Sequence, residues 1–285
     1  MKKIEDIRKT VTPEILVETD LLIAWVIKGD RGYVLAHPEY QLNFWQTRKI
    51  FRAIRQIKKG QPLAYITGHK EFFGLDFLVN KHTLIPRPDT EIMVEEAVKI
   101  TAERGIDSKD LLFADIGTGS GCIAVSMAKN MPTAKIIATD TSRGALRTAR
   151  KNAKLNKVNI HFFHGHLLKP LIDANRTSIP KHLFITANLP YLTKNWAESE
   201  PSLKYEPKNA LIADTRNGLT LYEKLFQQAK LLAGDIILDI LIEFDPRQAA
   251  EARQLAEKYF SRAKIRIKKD LAGRDRLLII STSAN

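Results

Sequence analysis

The sequence predicts an α/β fold, in which a mostly parallel sheet covered by helices on both faces follows a small helical domain. Two observations support this prediction. After residue 110, short aliphatic runs alternate with amphipathic helical stretches, whereas the first 60 residues show helical periodicity only. We therefore expect a helical domain with a short strand segment over residues 1–80, a connector over 81–110 and the α/β domain over 111–285.

The N-terminal elements are predicted from turn residues and proline. Thr12-Pro13-Glu14 and His37-Pro38-Glu39 resemble helix starts with proline at the first helical position, and Gly60-Gln61-Pro62 ends the third helical stretch. From Leu63 to Leu84 the pattern changes to short, aromatic-rich, strand-like pieces. A helix is expected over Thr90–Ala102.

The α/β domain is predicted from regular alternation of strands and helices. The strand candidates are Leu111–Ile116, Lys135–Asp140, Asn159–Phe163, His182–Ala187, Asp235–Phe244, Ala263–Ile267 and Arg276–Ser281. The helix candidates are Cys122–Asn130, Ser142–Leu155, Gly218–Leu232 and Arg247–Phe260. Since ligands of such sheets bind at the carboxyl ends of the strands, the loops after Ile116, Asp140 and Ala187 are the expected site.

Composition excludes several classes of protein. The chain has 285 residues, of which 44% are hydrophobic and 27% charged, which is typical of a globular protein and not of a disordered or fibrous one. Its single cysteine, Cys122, cannot form an internal disulfide. The longest apolar run is interrupted by Asp239 and Glu243 and is too short to span a bilayer. We expect a cytoplasmic protein with no membrane contact.

The positive charge is clustered. Lys and Arg number 45 against 32 Asp and Glu, a net charge of +13. Three clusters contribute to it: Arg48, Lys49, Arg52, Arg55, Lys58 and Lys59; Arg143, Arg147, Arg150, Lys151, Lys154 and Lys157; and Arg262, Lys264, Arg266 and Lys268. Solvated helix and strand faces explain any one cluster, but together they make a contact with the ribosome or with RNA a reasonable hypothesis.

A glycine loop follows the first strand of the α/β domain. Asp115-Ile116 leads into Gly117-Thr118-Gly119-Ser120-Gly121 and then into a helix, and Asp140 ends the next strand. Glycine permits close approach of a ligand to the backbone, and an acid at Asp140 can accept hydrogen bonds from two ribose hydroxyls. This pattern predicts a nucleoside cofactor.

Two cofactors fit the loop. Gly119 and Gly121 with Ala124 can be aligned with the dinucleotide fingerprint, but Gly117 already occupies the tight-turn position after the strand. With Asp115 before the first glycine, the loop instead resembles that of class I S-adenosylmethionine methyltransferases. The loop therefore favours the methyl donor.

A second motif, Asn188-Leu189-Pro190-Tyr191, follows the strand His182–Ala187. The Asn188 carboxamide and the Leu189 carbonyl can accept the N–H hydrogens of a planar amide or amino group, and Tyr191 can stack on it. Catalysis would then come from positioning and electrostatics. His161, His164 and His166 lack a nearby carboxylate or cysteine, so no metal site is expected.

The chain resembles the PrmC/HemK family of release factor glutamine-N5 methyltransferases from about Gln61 to Ser281. The segments that carry the resemblance are Gln61–Gly68, Glu71–Gly74, Leu84–Glu91, Asp115–Gly121, Asp140, Asn188–Tyr191, Tyr205-Glu206-Pro207 and Asp270–Arg276. The resemblance implies a seven-stranded class I methyltransferase (Rossmann-like) domain behind a helical domain that helps to bind the release factor. It implies that the glutamine of a Gly-Gly-Gln loop is methylated on its side-chain nitrogen, with S-adenosylmethionine as donor and S-adenosylhomocysteine as product.

The site residues implied by the resemblance form three groups. The catalytic residues are Asn188, Pro190 and Tyr191; the substrate-binding residues are these and Leu189; the cofactor-binding residues are Asp115, Gly117, Thr118, Gly119, Ser120, Gly121, Asp140, His166, Leu167 and Asn188. Two positions depart from the family pattern. Leu189 replaces the usual first proline of the tetrapeptide, and His166 stands where an aspartate near the adenine is usual.

Two rival functions remain open. Leu189 and the basic clusters favour an RNA adenine methyltransferase, since Asn-Leu-Pro-Tyr is similar to the motif of ribosomal-RNA adenine dimethyltransferases. The second rival is an inactive methyltransferase-like module that binds the ribosome. The presence of the intact motif residues is evidence against it: Asn188, Pro190, Tyr191 and Asp140.

Overall fold

A computed structural model of the protein describes residues 2–173, 180–198, 201–213, 217–232 and 236–283. The chain divides into two compact units: Met1–His69 with Pro201–Tyr205, and Lys70–Glu200 with Glu206–Asn285. The boundary between the two units, after His69, lies earlier in the chain than the boundary near residue 80 that the sequence predicts. The reason is that Phe72 and Phe77 are buried in a hydrophobic core of the second unit.

The first unit is helical. Its helices are α1 (Ile4–Arg8), α2 (Leu16–Ile27), α3 (Arg31–Ala36), α4 (Phe44–Lys58) and α5 (Leu63–Thr67), and β1 (Lys2–Lys3) pairs with β2 (Gln41–Leu42). A short 3-10 helix, Pro13–Ile15, leads into α2, so Thr12-Pro13 does start a helix. His37-Pro38-Glu39 does not. The helix begins at Asn43 instead, whose side chain accepts the N–H of Gln46 in a reciprocal capping box.

The segment expected to be strand-like from Leu63 to Leu84 is only partly so. Leu63–Thr67 is α5, and β3 (His69–Phe72) and β4 (Leu75–Leu78) follow as a two-stranded hairpin. Buried Asn152 holds the end of this hairpin: its side chain exchanges hydrogen bonds of 2.8 and 2.9 Å with the backbone of Leu78. The same side chain donates to the carbonyl of Ser120 (2.8 Å), so one residue of the second unit secures both the end of the hairpin and the glycine loop.

The second unit is built on a seven-stranded sheet, as the sequence predicts. Its strands are β5 (Leu111–Ile116), β6 (Lys135–Asp140), β7 (His161–His164), β8 (His182–Ala187), β9 (Ile237–Glu243), β10 (Lys264–Lys269) and β11 (Asp275–Ser281). They lie in the order β10-β11-β9-β8-β5-β6-β7. Strands β7, β6, β5, β8 and β9 pair in parallel, and β11 is antiparallel to both of its neighbours.

Helices accompany this sheet in the expected alternation. They are α6 (Glu91–Glu103), α7 (Cys122–Asn130), α8 (Arg143–Leu155), α9 (Lys169–Asp173), α10 (Lys194–Glu198), α11 (Thr220–Leu232) and α12 (Ala249–Tyr259). Strand β7 begins two positions later than predicted, because Asn159 precedes the first residue that pairs with β6. Asp235, the predicted start of β9, lies outside the described residues.

Two apolar layers cover the sheet. One contains Tyr222 and Phe226 of α11, and the other contains Met93 of α6 and Met127 of α7. Because β5 and β8 are buried along their whole length between these layers, their side chains are almost continuously apolar. No helix in the described part of the chain is long and apolar enough to cross a membrane.

Candidate active site

A cavity opens at the carboxyl ends of β5, β6 and β8. It is lined by the glycine loop, by the loops after β6 and β7, by the tetrapeptide after β8 and by the segment that precedes α6. The lining residues include His82, Leu84, Pro86, Arg87, Thr90, Gly117, Thr118, Gly119, Ser120, Asp140, His166, Leu167, Asn188, Leu189 and Pro190. The loops after Ile116, Asp140 and Ala187, where the sequence predicts the site, therefore line a single cavity.

The glycine loop has the left-handed backbone that its sequence requires. Gly117, Gly119 and Gly121 have φ of +72°, +56° and +83°. The N–H groups of Gly117 and Thr118 both donate to the carbonyl of Thr139 (2.9 and 3.0 Å), which anchors the loop to β6. A Cβ on Gly117 would lie 2.7 Å from Cδ2 of Leu189, so this glycine also leaves room for the tetrapeptide.

Asp115 supports the loop from below. It does not line the cavity: its carboxylate accepts hydrogen bonds from the hydroxyls of Thr118 (2.6 Å) and Thr186 (3.1 Å). Burial raises the pKa of Asp115 to about 6, although both hydrogen bonds act in the opposite direction. The geometry gives this residue a role in holding the loop.

Asp140 lies at the end of β6 with both carboxylate oxygens partly engaged. Oδ2 accepts the N–H of Gly119 (2.9 Å) and Oδ1 accepts the N–H of Ser142 (2.7 Å). Burial raises its pKa, against the effect of these hydrogen bonds. Since each carboxylate oxygen can accept a second hydrogen bond, Asp140 retains acceptors for a ligand in the cavity.

The loop after β7 presents His166 and Leu167. Leu167 has a left-handed φ of +53° and its carbonyl accepts the hydroxyl of Thr139 (3.0 Å). Partial burial lowers the pKa of His166, and the positive charges of Lys224 and Lys169 lower it further. Its imidazole is therefore neutral at pH 7, with one donor and one acceptor nitrogen.

The tetrapeptide is held from behind by α11 and β9. The hydroxyl of Tyr222 accepts the N–H of Leu189 (3.1 Å) and also hydrogen-bonds the carbonyl of Glu243. Asn188, Leu189 and Pro190 line the cavity, whereas Tyr191 is not among its lining residues. The hydroxyl of Tyr191 donates instead to Oε1 of Glu243 (3.1 Å).

Asn188 is joined to Glu243 through Thr90. Nδ2 of Asn188 donates to Oγ1 of Thr90 (3.2 Å), and that hydroxyl donates to Oε2 of Glu243 (2.6 Å). Thr90 and Glu243 are both buried. Burial raises the pKa of Glu243, opposed by the Thr90 hydrogen bond and by Arg276.

Arg87, which lies in the segment Leu84–Glu91, pairs with Glu206. This glutamate also accepts the N–H of Ile85 (3.1 Å), so it fixes the segment that forms one wall of the cavity. Asp89 of the same segment is held from β11, where Arg276 lies 3.4 Å from Asp89 and 3.2 Å from Asp270.

The structure brings the cofactor-site candidates together, apart from Asp115, which lies beneath the loop. The residues that sequence reasoning missed are Thr90, Thr139, Tyr222 and Glu206. Thr90 and Glu206 lie inside motifs that the sequence singled out, but their partners are far away along the chain. No local pattern marks Tyr222 or Thr139.

Comparison with known proteins adds family evidence. Residues 9–68 match the model of the PrmC N-terminal domain, and residues 98–179 match the methyltransferase small domain. The release factor glutamine methyltransferase of Flavobacterium psychrophilum is 39% identical over 246 residues, which cover 85% of this chain and 81% of that protein. That of Coxiella burnetii is 34% identical over 281 residues, covering 98% and 96%. The hMettl16 catalytic domain in complex with the MAT2A 3'UTR hairpin 1 shares the fold, with a TM-score of 0.56, 15% identity and coverage of 86% and 83%.

Proposed function

The chain belongs to the release factor glutamine methyltransferases, and we propose that it methylates the side-chain nitrogen of the glutamine in the Gly-Gly-Gln loop of a peptide-chain release factor. One observation carries the proposal: Asn188 and the glycine loop line the same cavity. A planar nitrogen held by Asn188 would therefore lie next to a donor held by the loop.

The cavity fits S-adenosylmethionine. A Cβ built on Gly119 would meet nothing closer than 3.9 Å, so the loop leaves space above its backbone, and Asp140 keeps acceptors for two ribose hydroxyls. Backbone groups of Gly117–Gly121 would border the amino acid part, and His166 and Leu167 the adenine. When bound, this cofactor would supply a methyl carbon to the lone pair of the substrate nitrogen; the carbon–sulfur electron pair would leave with S-adenosylhomocysteine, and the methylated nitrogen would release one proton to water.

Asn188 and Leu189 perform the orienting step. Oδ1 of Asn188 and the carbonyl of Leu189 accept the two N–H hydrogens of the glutamine amide, which turns the nitrogen lone pair toward the methyl carbon. These hydrogen bonds strengthen as the nitrogen becomes positive, so they stabilise the transition state more than the bound substrate. Pro190 closes the turn, and Tyr191, which does not line the cavity, is held behind the tetrapeptide by its hydrogen bond to Glu243.

The test is a methylation assay with labelled S-adenosylmethionine. Label is expected on the Gly-Gly-Gln peptide of a release factor. Label on ribosomal RNA instead would identify an RNA adenine methyltransferase, and label on neither would indicate an inactive binding module.

Replacing Asn188 tests the orienting step itself. Asn188→Ala is expected to lower turnover at least ~100-fold, the scale of one lost transition-state contact. Affinity for S-adenosylhomocysteine in calorimetry should fall much less than turnover, because Asp140 and the glycine loop are unchanged. Unchanged turnover would remove Asn188 from the mechanism.

We propose the basic face of α8 as a surface that contacts RNA. Arg266 and Lys268 of the third cluster pair with Glu96, so they are partly neutralised. On α8 the basic residues are exposed and form no ion pair within the described chain: Arg143, Arg147, Arg150, Lys151 and Lys154. Binding of a ribosomal-RNA hairpin, measured by fluorescence anisotropy against salt, should weaken in Arg147→Glu/Lys154→Glu but not in Arg253→Glu on α12. Equal binding by both variants would contradict the proposal.

We place the reaction in the cytoplasm, where release factors act. The single cysteine, Cys122, is buried, and burial raises the pKa of its thiol to about 12. A buried, protonated thiol is consistent with a reducing compartment.

A further inference from the structure

Glu243 is a buried carboxyl that does not line the cavity and that the proposed mechanism does not use directly. It ends β9 with 3% of its surface exposed. Each of its side-chain oxygens accepts a hydroxyl: Oε2 that of Thr90 and Oε1 that of Tyr191. A buried carboxylate is costly unless it is paired or hydrogen-bonded in this way, so its presence behind the tetrapeptide calls for an explanation.

The direction of the hydrogen bonds explains why a buried carboxyl lies behind the tetrapeptide. A threonine hydroxyl has a single hydrogen, and a carboxyl oxygen that carries no proton can only accept. Because Thr90 donates to Glu243 at 2.6 Å, its oxygen is left to accept from Asn188, which lies 3.2 Å away. Asn188 must then turn its NH₂ group toward Thr90, and its Oδ1 remains for the cavity.

Without an acceptor at position 243, this direction is lost. The Thr90 hydroxyl would be free to donate to the Asn188 oxygen, and the carboxamide would turn over. The cavity would then face two N–H donors, which repel the NH₂ of a glutamine but attract the carboxylate of a glutamate.

We propose that Glu243 is a positioning residue which, through Thr90, holds the Asn188 carboxamide with its oxygen toward the cavity and so selects a primary amide over a carboxylate as substrate. This inference rests on the proposed function and assigns the selectivity of that same site. Glu243 itself touches neither substrate nor cofactor.

The test compares two peptides, one containing Gly-Gly-Gln and one containing Gly-Gly-Glu, in calorimetry with S-adenosylhomocysteine present. The wild-type protein should bind the glutamine peptide more tightly. In Glu243→Met the ratio of the two binding constants should fall at least ~10-fold, because the flipped carboxamide favours the carboxylate. A purely structural role would weaken both peptides equally and leave the ratio unchanged, which would overturn the proposal.

Conservative variants provide the matched controls. Glu243→Gln should keep the ratio within about threefold, since its amide oxygen can accept from Thr90 while its NH₂ donates to the Tyr191 hydroxyl. Thr90→Ser should keep the ratio and Thr90→Val should reduce it, which tests the chain of hydrogen bonds even if Glu243→Met does not fold. A Thr90→Val protein with the wild-type ratio would refute the inference.

Failure of the proposed function has a different signature. A wild-type protein that labels RNA, or that does not distinguish the two peptides at all, contradicts the amide substrate. A wild-type protein that methylates the release factor, with a Glu243→Met variant that keeps full selectivity, contradicts only the role of Glu243.

Discussion

Asp115 shows at the scale of one residue how the glycine loop depends on a buried acid. Its carboxylate is held by Thr118 and Thr186, yet burial raises its pKa from 3.8 to about 6. A raised pKa in the folded state means that folding favours the protonated form, so this contribution to stability is present below about pH 4 and is lost as the pH rises through about 6.

This shift predicts a pH-dependent difference between the wild type and Asp115→Asn, whose side chain does not ionise. Between pH 2 and pH 8 the free energy of unfolding of the wild type should fall relative to the variant by about 3 kcal/mol, from a pKa change of 3.8 to about 6 at 1.36 kcal/mol per unit. Denaturant titrations at each pH measure it. If the free energies of unfolding of the two proteins change with pH in parallel, the pKa of Asp115 is not raised in the folded state.

Gly117 predicts a second residue-scale effect. Gly117→Ala places a methyl group 2.7 Å from Leu189, whereas Gly74→Ala has a similar φ of +70° and meets nothing within 4 Å. Both substitutions should cost about 1–2 kcal/mol of backbone strain. Only Gly117→Ala should also weaken S-adenosylhomocysteine binding about 10-fold in calorimetry, because Leu189 must move into the cavity. Equal affinities in the two variants would contradict this close approach.

At the scale of elements, helix α8 connects the hairpin β3–β4 with the glycine loop. Its buried Asn152 makes three hydrogen bonds, to both backbone groups of Leu78 and to the carbonyl of Ser120. Asn156, one turn later, makes a 3.1 Å hydrogen bond to the carbonyl of Asp76 at the surface.

The pair allows a matched test. Asn152→Ala should lower the free energy of unfolding by about 2–4 kcal/mol, because it leaves several buried backbone groups unsatisfied. Asn156→Ala should cost less than about 1 kcal/mol, because this residue follows the last residue of α8 and its hydrogen bond to Asp76 lies at the surface. Similar losses in urea titrations would argue against the buried bridge.

At the scale of the whole molecule, every residue that lines the cavity belongs to the second unit. A protein reduced to residues 70–285 is therefore expected to bind S-adenosylhomocysteine within about threefold of the full chain, as measured by calorimetry. Circular dichroism would confirm that the shortened protein is folded. A folded fragment with more than ~10-fold weaker binding would show that the first unit contributes to the donor site.

The sequence by itself determined the order of strands and helices, the glycine loop, Asp140 and the tetrapeptide after β8. These features depend on local periodicity and on backbone chemistry, and the carboxyl ends of parallel strands must meet at one edge of the sheet. The helix start at His37 was predicted wrongly, because proline at a turn resembles proline at a first helical position, whereas the reciprocal cap at Asn43 decides where the helix begins.

Only the tertiary structure decided what lies behind the site. Thr90 meets Asn188 across 98 residues of sequence and Glu243 across 153, and Arg87 meets Glu206 across 119. Such partners are set by the packing of β8, β9 and the segment before α6, which no local pattern encodes. The physical reason is that the direction of a buried hydrogen bond depends on which donor and acceptor groups the fold encloses together.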